Sequence, residues 1–152
     1  MLFTKRYYVN TTDEVDVISV IHECRYAIRD SKSADGLLTA VATQAGAAFV
    51  IMPAIQDAID ELKASMDVFG AEAGSAPDRL KRERAIGPIV QSAILGRTVH
   101  LPFHDGMLIL DPYDEVFLVD FERKGGRREF VVQIISDAAP PVAAPQPKVG
   151  RK

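Results

Sequence analysis

Cysteine is nearly missing: the 152 residues hold one, Cys24, which excludes an intrachain disulfide and a cysteine-built metal cluster. Histidine is almost as scarce, with His22, His100 and His104 the full set. The longest uncharged stretch, 36–56, contains "LLTAVATQAGAAFVIMPAI" and carries no His, Cys, Asp or Glu, so it offers no metal ligand and no carboxylate or imidazole base. Its length raises the question of a membrane span, but Thr39, Thr43, Gln44, Gly46 and Pro53 interrupt it and its halves read as strands, so no membrane role is expected. A basic segment followed by an apolar one is also absent from the start, "MLFTKRYYVN", and export is therefore not expected. Nor is there a strong excess of positive charge. The net charge of −3 argues against general polyanion binding, although "RLKRER" at 79–84 is locally basic. No aromatic platform interleaves with that run, so it reads as a solvated face and nucleic acid is not an expected partner.

What remains is ordinary globular composition, 47% hydrophobic and 26% charged, which suits one folded domain rather than a disordered or fibrous chain. "FTKRYYVN" alternates as an opening strand. Thr12 or Asp13 then stands where a helix cap would, ahead of Val17, Ile18, Ile21, Cys24 and Ile28 at helical spacing. Cys24 falls on the buried side of that helix, as a small core residue, and His22 lies beside the stripe. Asp35-Gly36 turns the chain into a buried strand over 37–43, and Ala45-Gly46 breaks it before a second apolar run at 47–52. Ile55, Ile59, Leu62 and Met66 mark a second amphipathic helix. A loop over 70–78 leads to a short helix at 86–95 that ends at Gly96.

The last part reads as strands at 98–103, 106–110, 115–122 and 128–136. The turns between them, His104-Asp105-Gly106, Asp111-Pro112-Tyr113-Asp114 and Lys124-Gly125-Gly126, are short enough to predict antiparallel pairing of consecutive strands. His100 and His104 then share one strand face, which gives two imidazoles without a third ligand, so no metal is expected. Residues 138–152, "AAPPVAAPQPKVGRK", hold four of the nine prolines and no aromatic residue. Such a segment buries too little apolar area to fold alone and is expected to be an extended arm. The expectation is an α+β domain over 1–137, with mainly antiparallel sheet layers, two amphipathic helices and one short helix, followed by the arm.

This order of elements brings a resemblance into view. "ILGRTVHLPFHDGMLILDPYDEVFLVDFERKGGRREFVVQI", residues 94–134, closely resembles the C-terminal half of the YjbQ family. That family's pattern runs Leu-Gly, a polar pair, an apolar strand ending in Pro, a turn Gly, two further strands and a Gly/Arg-rich hairpin, and the likeness extends over roughly 3–136. It implies a small α+β protein that forms trimers. In some members it also implies a weak thiamine-phosphate synthase activity, with histidines and carboxylates gathered near a subunit boundary. The family's His-Thr-Thr-Ala strand falls on "ATQA", which puts Ala42 at the histidine, and the following Asn-Glu falls on Val50 and Ile51. The Asn-Ala-His-Ala-His motif falls on "AIGPI", where Gly87 and Ile89 take the histidine positions. The Trp-Gln pair lands on Tyr113 and Asp114, and acidic positions persist at Asp60 and Asp120.

Ala, Val, Ile and Gly have no side-chain lone pairs, so the mechanism implied by the resemblance cannot run through these positions. The first functional expectation is therefore a non-catalytic assembly protein without a cofactor: a homotrimeric body whose arm docks on a neighbouring subunit through Pro140, Pro141, Pro145, Pro147, Lys148, Arg151 and Lys152. A decoration component of a virus-like particle would have this form, and the expected location is the cytoplasm or such a particle. The second expectation is a residual enzyme or small-ligand binder that uses Asp60, Asp114, Asp120, His100, His104, Arg127 and Arg128. Each of these also has a plain reading. Asp60 suits a solvated helix face, Asp114 a turn, Asp120 an exposed strand position, and the arginines a hairpin.

Overall fold

The computed structural model describes residues 1–137, and the arm expected at 138–152 lies outside the described residues. The chain runs β1 (Leu2–Thr11), β2 (Asp16–Ser19), α1 (Ile21–Ser31), β3 (Gly36–Ala42), β4 (Ala47–Pro53) and α2 (Gln56–Met66). It continues through β5 (Ser75–Pro77), β6 (Glu83–Ala85), α3 (Ile86–Leu95), β7 (Thr98–His104), β8 (Met107–Leu108), β9 (Asp114–Asp120) and β10 (Gly126–Ser136). The α+β class, the second and third helices and their bounds agree with the sequence pattern. The five-stranded sheet has the order β1-β10-β3-β7-β8, the three-stranded sheet β2-β9-β4, and β5 pairs with β6 alone. Every pairing is antiparallel.

Three expectations about local structure change. Residues 16–19 form a strand, not the start of a helix, and α1 begins only at Ile21 with no side-chain cap. The β-branched Val17 and Ile18 favour a ladder, and Thr12 is drawn off as a partner of Asp16, to which its backbone N–H donates at 2.7 Å. Val17 therefore joins a different apolar cluster from Ile21, Cys24 and Ile28, although all four fall on one helical period. Next, consecutive late strands pair only at β7–β8, where Asp105 and Gly106 both take positive φ (50° and 74°) as a two-residue hairpin turn requires. β8 spans two residues only. The segments at 111–113 and 121–125 do not close hairpins but carry the chain from one sheet to the other, because β9 lies between β2 and β4 while β10 lies between β1 and β3. Finally, the loop at 70–78 contains β5.

The main core lies between the sheets. Leu38, Ala40, Ala42, Leu101, Phe103, Phe130, Val132 and Ile134 of the five-stranded sheet meet Ala47, Phe49, Val116 and Leu118 of the three-stranded one, and α1 adds Ile21, Cys24, Ala27 and Ile28. Phe130 anchors it, stacked on Tyr7 at 5.4 Å and edge-on to Phe49 at 5.8 Å, and a fully buried ring of this kind contributes about 1.5–3 kcal/mol. A second cluster, Ala48, Met66, Val119 and Phe121 with Leu62 and Leu95 against it, covers the other face of the three-stranded sheet with α2 and α3. The outer face of the five-stranded sheet has no such cover among the described residues.

Candidate functional site

The two sheets meet at one edge, where the turn after β3 approaches the ends of β9 and β10. Gly46 makes that turn possible: its φ is +97°, its N–H donates to Ser92 Oγ at 2.9 Å, and its carbonyl accepts from the Phe121 N–H at 2.8 Å. A Cβ at Gly46 would collide with the Glu122 carboxylate. Beside the turn opens a cleft of about 660 Å³, lined by Thr43, Gln44, Ala45, Arg82, Glu83, Arg84, Arg97, Glu122, Lys124, Gly125 and Arg128. Five cationic side chains thus face two carboxylates in a chain whose net charge is negative.

The four arginines are held in three ways. Arg128 reaches from β10 to Asp120 of β9, Nε to Oδ1 at 3.0 Å, with the carboxylate fully buried and the arginine side chain 12% exposed. Asp120 Oδ2 has no partner among the described residues. Arg97 donates twice to the carbonyl of Ala42, from Nε at 3.1 Å and Nη2 at 2.9 Å, which leaves three of its five N–H donors for the cleft. Arg82 and Arg84 are organised by Asp78, which accepts from the Leu80 and Arg82 backbone N–H groups (2.8 and 3.0 Å) and pairs with both guanidiniums (2.9 and 3.8 Å). The Arg82 N–H is the main reason the Asp78 carboxyl is held below the usual carboxylate range. Neither Lys124 nor Arg97 has a carboxylate partner among the described residues.

Of the residues singled out from sequence, this geometry unites only Asp120 and Arg128. Asp120 is not an exposed strand position: β9 is covered on both faces, and the residue is fully buried. Arg127 points elsewhere, over the Tyr8 ring at 4.3 Å. Asp60 lies exposed on α2 and accepts from Gln56 at 2.9 Å, and Asp114 begins β9 far along the strand from Asp120. His100 and His104 do share the outer face of β7. His100 meets Thr39 at 3.1 Å, whereas His104 sets Nδ1 2.6 Å from Asp35 and Nε2 3.4 Å from Asp105. Asp35, His104 and Asp105 are the one group of three metal-capable residues found among those described, all exposed. The two imidazole nitrogens face different carboxylates, so a cation there would take the place of the proton between one nitrogen and its carboxylate. Cys24 is buried in the core, and burial pushes its thiol up to about 12, out of reach as a nucleophile at neutral pH.

The sequence pointed to the cleft through the basic run, of which Arg82 and Arg84 line it, and through Arg128; Lys124 was read only as part of a turn, and neither Arg97 nor Glu122 was marked as functional. At the positions assigned to the lost ligands, Ala42 is fully buried in the main core and Val50 packs on the second cluster. Ile51, 40% exposed, is not core, and Ile89 is half-buried. Gly87 packs against the chain at Gly70, so that a Cβ there would stand 3.1 Å from the Gly70 carbonyl oxygen.

A two-sheet α+β body with a cationic edge cleft is the class of protein that this geometry defines. The chain belongs to the YjbQ family: the family model, described as UPF0047 protein YjbQ-like, matches residues 5–137. Among solved structures it is similar to a YbjQ-like protein of unknown function from Sulfolobus solfataricus, with a TM-score of 0.80 and 17% identity over 90% of this chain and 99% of that one. A hypothetical protein from Aeropyrum pernix gives a TM-score of 0.75 at 15% identity, over 89% and 99% of the two chains. A conserved hypothetical protein from Thermus thermophilus gives 0.68 at 18%, over 86% and 99%. At these identities the likeness establishes the fold. No curated protein matches the chain. No described helix is long and apolar enough to cross a membrane.

Proposed function

We propose that this YjbQ-family chain binds a small phosphate- or carboxylate-bearing molecule in the edge cleft and does so without the imidazole chemistry that its resemblance implies. The observation that carries the reading is the convergence of Arg84, Arg97, Lys124 and Arg128 on one cleft beside Thr43. Fixed guanidiniums suit a planar or tetrahedral anion because they present several donors without further ordering. Neither imidazole nor thiol lines the cleft among the described residues, and beside five cations the carboxylates of Glu83 and Glu122 are its acid-base groups, so the reading rests on anion binding and assigns no reaction. Losing a charge-assisted hydrogen bond costs about 1.5–3 kcal/mol, so Arg97→Ala and Lys124→Ala should each weaken binding roughly ten-fold or more. Calorimetric titration of the full chain with inorganic phosphate and pyrophosphate tests this. Absence of saturable binding at millimolar anion, or equal affinity in both variants and the wild type, overturns it.

A second reading, assembly, is favoured by a separate observation. Leu2, Ile135, Leu37 and Pro102 are lateral neighbours across the outer face of the five-stranded sheet, exposed in a row. An apolar row left uncovered by the described residues supports association of copies; that the association is a homotrimer, with the arm reaching a neighbouring subunit as in a particle decoration protein, is the form we propose for it. Light scattering on the full chain decides the state, and a monomer at micromolar concentration sinks the trimer.

A further inference from the structure

At the other end of the molecule from the cleft, the crossing from β8 to β9 leaves apolar groups in solvent. Tyr113 is 83% exposed and Ile55 55% exposed. With Pro53, Ala54, Asp111 and Asp114 they line a groove of about 440 Å³. The Asp114 N–H donates to the Asp111 carbonyl at 3.0 Å and the Ile55 N–H to the Pro53 carbonyl at 2.8 Å, so both walls are tied backbone turns. The groove combines an aromatic ring, aliphatic walls and two carboxylates.

We propose that residues 138–152 of this chain occupy that groove, with Pro145 and Pro147 against Tyr113 and the basic end, Lys148, Arg151 and Lys152, against Asp111 and Asp114. Three arguments support this occupant. Proline-rich segments dock on exposed aromatic rings because their restricted φ leaves little entropy to lose. The charges are complementary, since the segment has three cations and no carboxylate side chain whereas the groove has two aspartates. The reach also fits. Ser136, Gly36, Phe103 and Leu108 stand side by side across four strands, a span of about 15 Å at the usual strand spacing. From Leu108 to Tyr113 is at most about 17 Å of extended chain. A proline-rich segment covers the combined distance in roughly ten residues at about 3.1 Å each, which brings Pro145 to Lys148 to the groove. The inference gives the arm of the assembly reading a receptor, and it stands or falls apart from anion binding in the cleft.

Amide hydrogen exchange and nuclear Overhauser contacts in the full chain test it. Contacts between the Tyr113 ring and the proline ring protons are expected, and Tyr113→Ala should speed exchange of the Lys148 to Lys152 amides by about five-fold or more, as release from a bound state does. Pro145→Ser with Pro147→Ser should remove the contacts and leave the fold intact. A dilution series separates the two routes to the same docking: arm protection that survives dilution is within one chain, and protection lost on dilution is between copies. Arm amides that exchange at free-peptide rates in the wild type overturn the proposal. So does groove protection that persists in the proline variant and rises with concentration, because a second copy of the body would then be the occupant.

Discussion

β7 and β9 are both seven residues long, and they are buried in opposite ways. β7 alternates strictly, with Val99, Leu101 and Phe103 inward and Thr98, His100, Pro102 and His104 in solvent, whereas β9 is buried without a break from Val116 to Asp120. The cause is layering. β9 is the middle strand of a sheet with apolar clusters on both faces, while β7 belongs to a sheet whose outer face is bare among the described residues. The same polar residue therefore means different things on the two strands. An imidazole on β7 is solvated and costs little, but the carboxylate of Asp120 on β9 requires a partner, and Arg128 supplies it from the other sheet.

The largest test of that difference is Arg128→Ala. It strands a fully buried carboxylate and should cost about 3–5 kcal/mol, while Asp120→Leu combined with Arg128→Met should recover most of the loss. Urea denaturation at neutral pH measures both. A cost below about 1 kcal/mol for the single variant would mean that Asp120 finds other solvation, and the contrast between the strands would collapse.

Gly46→Ala comes next, at about 1–3 kcal/mol, because a side chain there is forced to positive φ. It also meets Glu122. Adding Glu122→Ala should relieve the collision but leave the backbone strain, so only part of the stability returns. Complete recovery would show that the turn itself is unstrained.

The helix at Gln56–Met66 and the strand at Thr98–His104 were legible in sequence because one face of each repeats at its own period, whereas the helix at Ile86–Leu95, which buries Gln91 and Ser92, was marked by its stop at Gly96. The strand order was not. Short segments such as 121–125 look like hairpins, but pairing is decided by which faces need cover, and a strand as apolar as β9 must sit where both faces are packed. The cleft was legible only in part for a related reason. Asp120 and Arg128, eight apart, look like two sides of one hairpin, and the cross-sheet ion pair depends on topology. Arg97 follows Gly96 with no periodic neighbour, and only the fold brings it to the carbonyl of Ala42.

A smaller, local effect sharpens the contrast at the cleft rim. The Asp78 carboxyl lies below its ordinary value of 3.8, chiefly through the Arg82 N–H, so the ordering it gives is complete above that value and is lost as the pH falls through the lower folded one. The protection factors of the 79–85 amides, taken against the intrinsic exchange rate at each pH, should therefore fall in acid while those of the β9 core amides hold. If the two sets loosen together, the rim is not an independent unit.

The smallest effect on stability should come from the bare face, and it carries the most weight for assembly. Ile135 is 59% exposed between Leu2 and Leu37, so Ile135→Lys removes little buried area and should change the unfolding free energy of diluted protein by no more than about 0.5 kcal/mol. If copies associate through this row, the same substitution places a charge in the centre of each contact, where desolvation without a partner opposes binding. Light scattering should then report a smaller particle than the wild type with an unchanged far-ultraviolet spectrum. A wild-type oligomer that survives Ile135→Lys unaltered would move the contact away from the outer face and leave that row an ordinary solvated surface.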